Sequence, residues 1–132
     1  NKPSPALNTA LAKLDVRQNA KIHSEVIDEL LEKSGLCADP QTLDEPARLQ
    51  LLAETLDAEL SISELSISDT VQESLATFQV LHETSQQFSA DALGMLVISM
   101  TAVPSDVLSV LWLWTHTATD SNTPVPPIVP LL

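Results

Sequence analysis

The chain has 132 residues, is 44% hydrophobic and carries a formal net charge of −12 at pH 7, a composition that excludes a disordered segment and suits one globular unit. The negative charge repels phosphate backbones and anionic lipid surfaces, which argues against nucleic acid and membranes as partners; no run of about 18 apolar residues is present to span a bilayer, and Asn1-Lys2-Pro3-Ser4-Pro5 has no signal-peptide core, so a cytoplasmic protein is expected. Cys37 is the only cysteine, which rules out an internal disulfide and a multi-cysteine metal site and leaves an inert loop thiol as the plain reading.

From Leu11 to Val16 the pattern alternates, with Leu14 and Val16 on one face and Lys13, Asp15 and Arg17 on the other, which predicts a strand ended by Arg17. Ile22, Val26 and Leu30, with Ile27 and Leu31 beside them, then repeat at helical spacing. Glu25, Asp28, Glu29 and Glu32 occupy the opposite, solvated side, and Gly35 is placed to stop the helix. Asp44 before Glu45-Pro46 predicts an N-cap leading into a second helix with Leu49, Leu52 and Leu56 on its apolar face. Ser61 to Ser68 is expected to be a loop. Val71, Leu75, Phe78 and Leu81 return to helical spacing from about Thr70 to Ser85. Leu93 to Ile98 is apolar on both faces, as in a strand covered on both sides of a parallel sheet. Pro104 and Asp106 open a helix with its body at Val107 to Trp114, and a Pro-rich tail from Pro124 precedes a short apolar strand.

Strands separated by helices give an α/β class with parallel pairing and right-handed crossovers. The strand ending in Arg17 and the strand Leu93 to Ile98 are expected in one parallel sheet, with the first two helices on its outer face. Unclosed strands and the Trp112 to Trp114 segment are expected to leave apolar surface open to water, which favours self-association.

Three segments carry a family resemblance. The run Val97-Ile98-Ser99-Met100-Thr101-Ala102-Val103-Pro104-Ser105-Asp106-Val107-Leu108, where an apolar stretch ends at a small-residue turn and restarts as a helix, resembles a signature of phosphoenolpyruvate carboxylase. Leu14-Asp15-Val16-Arg17-Gln18-Asn19, followed by His23, is similar to the stretch in which that family places a substrate-binding arginine. Ile128-Val129-Pro130-Leu131-Leu132 is similar to the strand that runs into a metal-binding glutamate, which this chain does not reach.

The resemblance covers roughly Leu11 to Leu132 but only a small internal part of a much longer family protein. It implies that residues 1–132 are a single fragment of the barrel domain: a partial parallel β/α barrel with additional helices, about three strands of the family's eight. It also implies the parent's chemistry, a lyase that joins phosphoenolpyruvate and bicarbonate through carboxyphosphate and the enolate of pyruvate. The products are oxaloacetate, which replenishes the tricarboxylic acid cycle, and phosphate. The implied cofactor of the parent is magnesium, with no metal ligands matched in this chain. The implied partners are the two substrates and the remainder of the carboxylase chain, in a homo-oligomeric parent. The family's catalytic histidine, glycine-rich mobile loop, metal carboxylates and other phosphate-binding arginines match nothing here, so the chain alone is expected to be inactive. Glu59 to Asp69 stands where the family has a basic, proline-containing segment, and Trp112 to His116 where it has a more charged helix end.

Without the resemblance, Arg17 near Asp15 reads as a local ion pair. At a strand's C-terminal end, a planar guanidinium can instead hold a phosphate through two parallel hydrogen bonds, which lysine cannot reproduce. The resemblance points to the second reading, with Arg17 as the catalytic and substrate-binding residue, Asp15 as its orienting carboxylate and Gln18 as a weaker candidate for the same pocket. His23 reads as a structural hydrogen-bonder, Asp106 as a helix N-terminal charge, and Ser99 as a small hydroxyl at a strand end. His82 and His116 have no partners at metal-ligand spacing, and Gly35 and Gly94 lie too far apart for a phosphate loop. The alternative function, from a different class, is a non-catalytic helical interaction module that presents an acidic surface to a basic partner.

Overall fold

Three parallel strands form one sheet in the order β1-β2-β3: β1 (Leu14–Asn19), β2 (Leu93–Ser99) and β3 (Ile128–Pro130). The computed structural model describes residues 14–88, 93–118, 125–126 and 128–131. Its helices are α1 (Ala20–Lys33), α2 (Glu45–Thr55), α3 (Asp69–Phe88) and α4 (Pro104–Thr117), with short 3-10 turns at Pro40–Thr42 and Ile62–Glu64. The expected α/β class and the parallel pairing of the first two strands are therefore observed. A three-strand sheet is compatible with part of a barrel.

In β1–β2 the register sets Val16 opposite Leu96, Arg17 opposite Val97 and Asn19 opposite Ser99. Pairing thus continues two residues beyond Arg17, which does not end the strand. Asn19 is extended (φ −117, ψ 126), and its side chain accepts hydrogen bonds from the backbone N–H groups of Lys21 (2.8 Å) and Ile22 (3.4 Å). One residue therefore serves as both the last strand position and the N-cap, and the chain enters α1 with no loop between. At the other end of α1, Gly35 adopts φ +82, a left-handed conformation that glycine takes without a Cβ penalty.

The helices are held together mainly through α4, which contacts α1, α2 and α3. Its Val110, Trp112, Leu113 and Trp114 are buried and join Val26, Ile27, Leu30 and Leu31 of α1, Leu52 of α2, and Val71, Leu75, Phe78 and Leu81 of α3 in one core. The expectation that Trp112 to Trp114 meets water is overturned: Trp112 is 0% and Trp114 1% exposed. Burying a tryptophan removes roughly 150–250 Å² from water, a gross gain of about 4–6 kcal/mol, which explains why the pair became the core rather than a surface. The second helix also departs from expectation, because the chief neighbour of α2 is α4 rather than a strand. Residues 61–68 form the expected irregular connection, and its Ile62, Leu65 and Ile67 pack against the core. The thiol of Cys37 is free, and the residue is half-buried against the same core.

The acidic side of α1 is not purely solvated. Asp28 accepts a 2.6 Å hydrogen bond from Arg48 of α2, whose guanidinium also donates to the Ser24 carbonyl (3.3 Å) and hydroxyl (3.2 Å). Glu29 accepts from the Ser68 backbone N–H at 2.6 Å, and Lys33 donates to the Ser66 carbonyl at 2.7 Å. These contacts fasten α2 and the 61–68 connection to α1, a long-range role that helical spacing alone does not reveal.

Candidate functional site

Parallel pairing puts the C-terminal ends of all three strands on one rim, where an α/β sheet places its chemistry. Gln18, Asn19, Ser99, Met100, Thr101, Pro130 and Leu131 come to this rim from separate stretches of sequence. Arg17 sits in register with Val97, two residues from the end of β1. The side chains of Asp15 and Arg17 lie outside the described residues.

The β2–α4 turn is built from polar contacts that the sequence discloses only in part. Met100 takes φ 62, a left-handed conformation uncommon for a residue with a side chain, while its side chain is 67% exposed. The Thr101 backbone N–H (2.7 Å) and hydroxyl (2.6 Å) both donate to the Leu131 carbonyl, and the Leu131 N–H donates to the Ile98 carbonyl at 2.8 Å. These bonds tie the end of β3 to the end of β2. Asp106 accepts from the backbone N–H groups of Ala102 (2.8 Å) and Val103 (3.1 Å), which matches the structural part expected of it at the helix N-terminus. Glu45, at the start of α2, reaches the same helix end and accepts from the Ser105 N–H (2.8 Å) and hydroxyl (2.6 Å). Two of the protein's own carboxylates thus occupy the N-terminus of α4, where an incoming phosphate would otherwise be attracted. Sequence reasoning missed Glu45, and no local signal could have found it, because its partner lies 60 residues away.

Ser99 donates its hydroxyl to the Gln18 carbonyl at 3.1 Å, a strand-end contact rather than a nucleophile beside a base. His82 and His116 are structural. His82 Nε2 bonds the Trp114 carbonyl (2.8 Å) and the Thr117 hydroxyl (3.1 Å), and its ring lies 4.1 Å from that of Trp114. His116 Nε2 bonds the Thr55 carbonyl at 2.9 Å and lies against Trp112. Burial lowers the pKa of both, opposed by these carbonyls and, for His116, by Asp57.

His23 departs from the expected hydrogen-bonding role, since its buried Nδ1 has no partner. Burial pushes its pKa down to about 4, with Asp106 opposing, so the imidazole is neutral at neutral pH. Gln18 lines the same cleft as His23, together with Ser74, Thr77 and Phe78 of α3. Among the described residues, no three or more His, Cys, Asp or Glu side chains come together to hold a metal ion, and no helix is long and apolar enough to cross a membrane.

A parallel strand–helix unit whose polar residues gather at the strand C-termini places the chain in the α/β class. Within that class the family follows from comparison with known sequences. The family model for phosphoenolpyruvate carboxylase matches residues 7–132. The carboxylase of Roseiflexus castenholzii is 33% identical over 104 residues, covering 77% of this chain and 11% of the relative. That of Aromatoleum aromaticum is 35% identical over 100 residues (74% and 11%), and that of Gloeobacter violaceus 36% over 106 (78% and 11%). The chain belongs to the phosphoenolpyruvate carboxylase family and spans about 11% of the length of these curated relatives.

Proposed function

We propose that this chain is the part of a phosphoenolpyruvate carboxylase that supplies a substrate-binding arginine, Arg17, to the C-terminal rim of the barrel. The observation that carries the reading is the family match over residues 7–132, combined with the placement of Arg17 near the C-terminal end of β1 in a parallel sheet. Phosphoenolpyruvate and bicarbonate are anions, so their site needs cations. A guanidinium at this position holds the phosphate through paired donors and stabilises charge as the phosphoryl group moves to bicarbonate, giving carboxyphosphate and the enolate of pyruvate; carboxyphosphate then releases phosphate and carbon dioxide, and the enolate adds to the carbon dioxide to form oxaloacetate. Asp15, two residues earlier on the strand, would orient Arg17. Gln18 is the weaker substrate candidate of the three. The described residues offer no set of ligands for the magnesium implied in the parent, so its ligands would come from the remainder of the carboxylase.

In this reading the parent is a cytoplasmic, homo-oligomeric lyase that feeds the tricarboxylic acid cycle, and the remainder of its chain completes both site and sheet. The isolated chain is inactive, because one arginine without metal ligands or a general base cannot carry the reaction. Oxaloacetate formed by the purified chain above a boiled control would refute this.

In the intact parent, Arg17→Ala should lower kcat/KM by roughly 10- to 100-fold, the loss of one charge-assisted contact, and Arg17→Lys should recover only part of it. An Arg17→Ala enzyme within about twofold of the parent would leave the local ion pair with Asp15 as the better account.

A further inference from the structure

Among the described residues, Met100 alone places a side chain on left-handed backbone, at φ 62; the other positive φ belongs to Gly35. That conformation crowds the Cβ against the backbone and costs stability, which burial of the side chain would ordinarily offset. Here burial offsets little, because the side chain is 67% exposed, the highest fraction among the described large apolar residues. Nor is the turn loose. The Ser99 hydroxyl donates to the Gln18 carbonyl at 3.1 Å, the Thr101 N–H and hydroxyl both donate to the Leu131 carbonyl, and the Asp106 carboxylate accepts from the N–H groups of Ala102 and Val103. A turn pinned on both sides that holds a strained apolar residue out into water serves something other than folding.

We propose that Met100 is a specificity-determining residue of the carboxylation, an apolar wall that keeps water from the enolate until it meets carbon dioxide. The inference rests on the reading of this rim as part of a carboxylase site. Met100 follows directly on β2, the central strand, and Arg17 pairs with Val97 on that strand. Three residues at about 3.3 Å each set Met100 about 10 Å further toward the C-terminal rim than the level of Arg17. A phosphate gripped from the end of β1, with its three-carbon unit, would stand at that height. The enolate has two fates. Its carbon attacks carbon dioxide, forming the new carbon–carbon bond of oxaloacetate, or it takes a proton from water, giving pyruvate and hydroxide while the carbon dioxide escapes. Excluding water selects the first. A thioether suits the task, because it is apolar, unbranched and flexible and has no proton of its own to give the enolate.

The test is the share of consumed phosphoenolpyruvate that appears as pyruvate rather than oxaloacetate, measured on the intact carboxylase with bicarbonate and magnesium. Met100→Gly and Met100→Gln should each raise that share by at least about fivefold, and Met100→Leu, which restores an apolar side chain, should stay within about twofold of the parent. Gln keeps the length of the side chain and the strain of the backbone, so a rise common to Gly and Gln does not come from a loosened turn. A residue that only supports the fold would lower the thermal midpoint and the rate together and leave the product ratio alone. A rise in both Met100→Gly and Met100→Gln with none in Met100→Leu supports the proposal, and any other pattern overturns it. Arg17→Ala keeps the two readings apart. If kcat/KM falls in Arg17→Ala while the Met100 variants keep the parent ratio, the wall alone is refuted; if Arg17→Ala leaves kcat/KM unchanged, the role of Arg17 is refuted whatever the Met100 variants show.

Discussion

The carboxylate of Glu45 receives both the backbone N–H and the hydroxyl of Ser105, at 2.8 and 2.6 Å, so the first turn of α2 caps the first turn of α4. Ser105 is buried, and a charge-assisted pair of this kind leaves two unpaired groups when the acceptor is removed. Glu45→Ala should therefore destabilise the chain by about 1.5–3 kcal/mol in urea unfolding, and Glu45→Gln by less. A Glu45→Ala midpoint equal to that of the parent chain would show the contact to be absent in solution.

Trp112 Nε1 donates to the Thr55 hydroxyl at 2.9 Å, and that hydroxyl donates to the Leu51 carbonyl at 2.7 Å. Thr55→Val keeps the volume but strands a buried indole N–H, at a cost of about 1–3 kcal/mol. Adding Trp112→Phe in a double-mutant cycle should give a coupling of at least about 0.5 kcal/mol, because the second change removes the orphaned donor. Strict additivity would argue against the bond.

His23 makes stability depend on pH with a definite sign. Its folded pKa, about 4, lies below the ordinary imidazole value of 6.5, so the unfolded chain binds the extra proton between those values. Stability is then complete above pH 6.5 and falls as pH drops toward 4, with His82 and His116 acting in the same direction. Between pH 7.5 and 5 the His23 share is about 2 kcal/mol. Urea unfolding of His23→Gln should show a flatter pH profile by about that amount, and parallel profiles would contradict the burial of a neutral ring.

Met100 tests backbone strain at the rim. With φ 62 and an exposed side chain, Met100→Gly loses little packing and removes the Cβ penalty, so it should match or exceed the parent by up to about 1 kcal/mol. Met100→Val puts a β-branched residue in the same conformation and should destabilise by about 1–2 kcal/mol. Thermal melts that rank Val above Gly would rule out the left-handed turn.

Local pattern alone was sufficient for most elements. Period-two alternation around Leu14 and Val16, helical spacing from Ile22 to Leu31 and from Val71 to Leu81, the Asp44 cap and the Pro104–Asp106 helix start all report on neighbours a few residues apart, and all are found as expected. The end of β1 was misjudged at Arg17 because Asn19 serves strand and cap together, and its strand pairing depends on Ser99, far away in the chain. The family, too, was legible, since its three matching segments are contiguous strings.

Long-range placement belonged to the tertiary structure. That Trp112 and Trp114 are core rather than surface follows from α4 being surrounded by α1, α2 and α3, which no periodicity within one helix can state. The same holds for Glu45 reaching Ser105, for Arg48 drawing in Asp28, and for Gln18 and His23 lining one cleft with residues of α3. Sequence determines which side chains a segment offers to its own helix or strand, because that geometry repeats every few residues. Which distant group each one meets is decided only when the helices pack, because burial and hydrogen-bond satisfaction are properties of the assembled core.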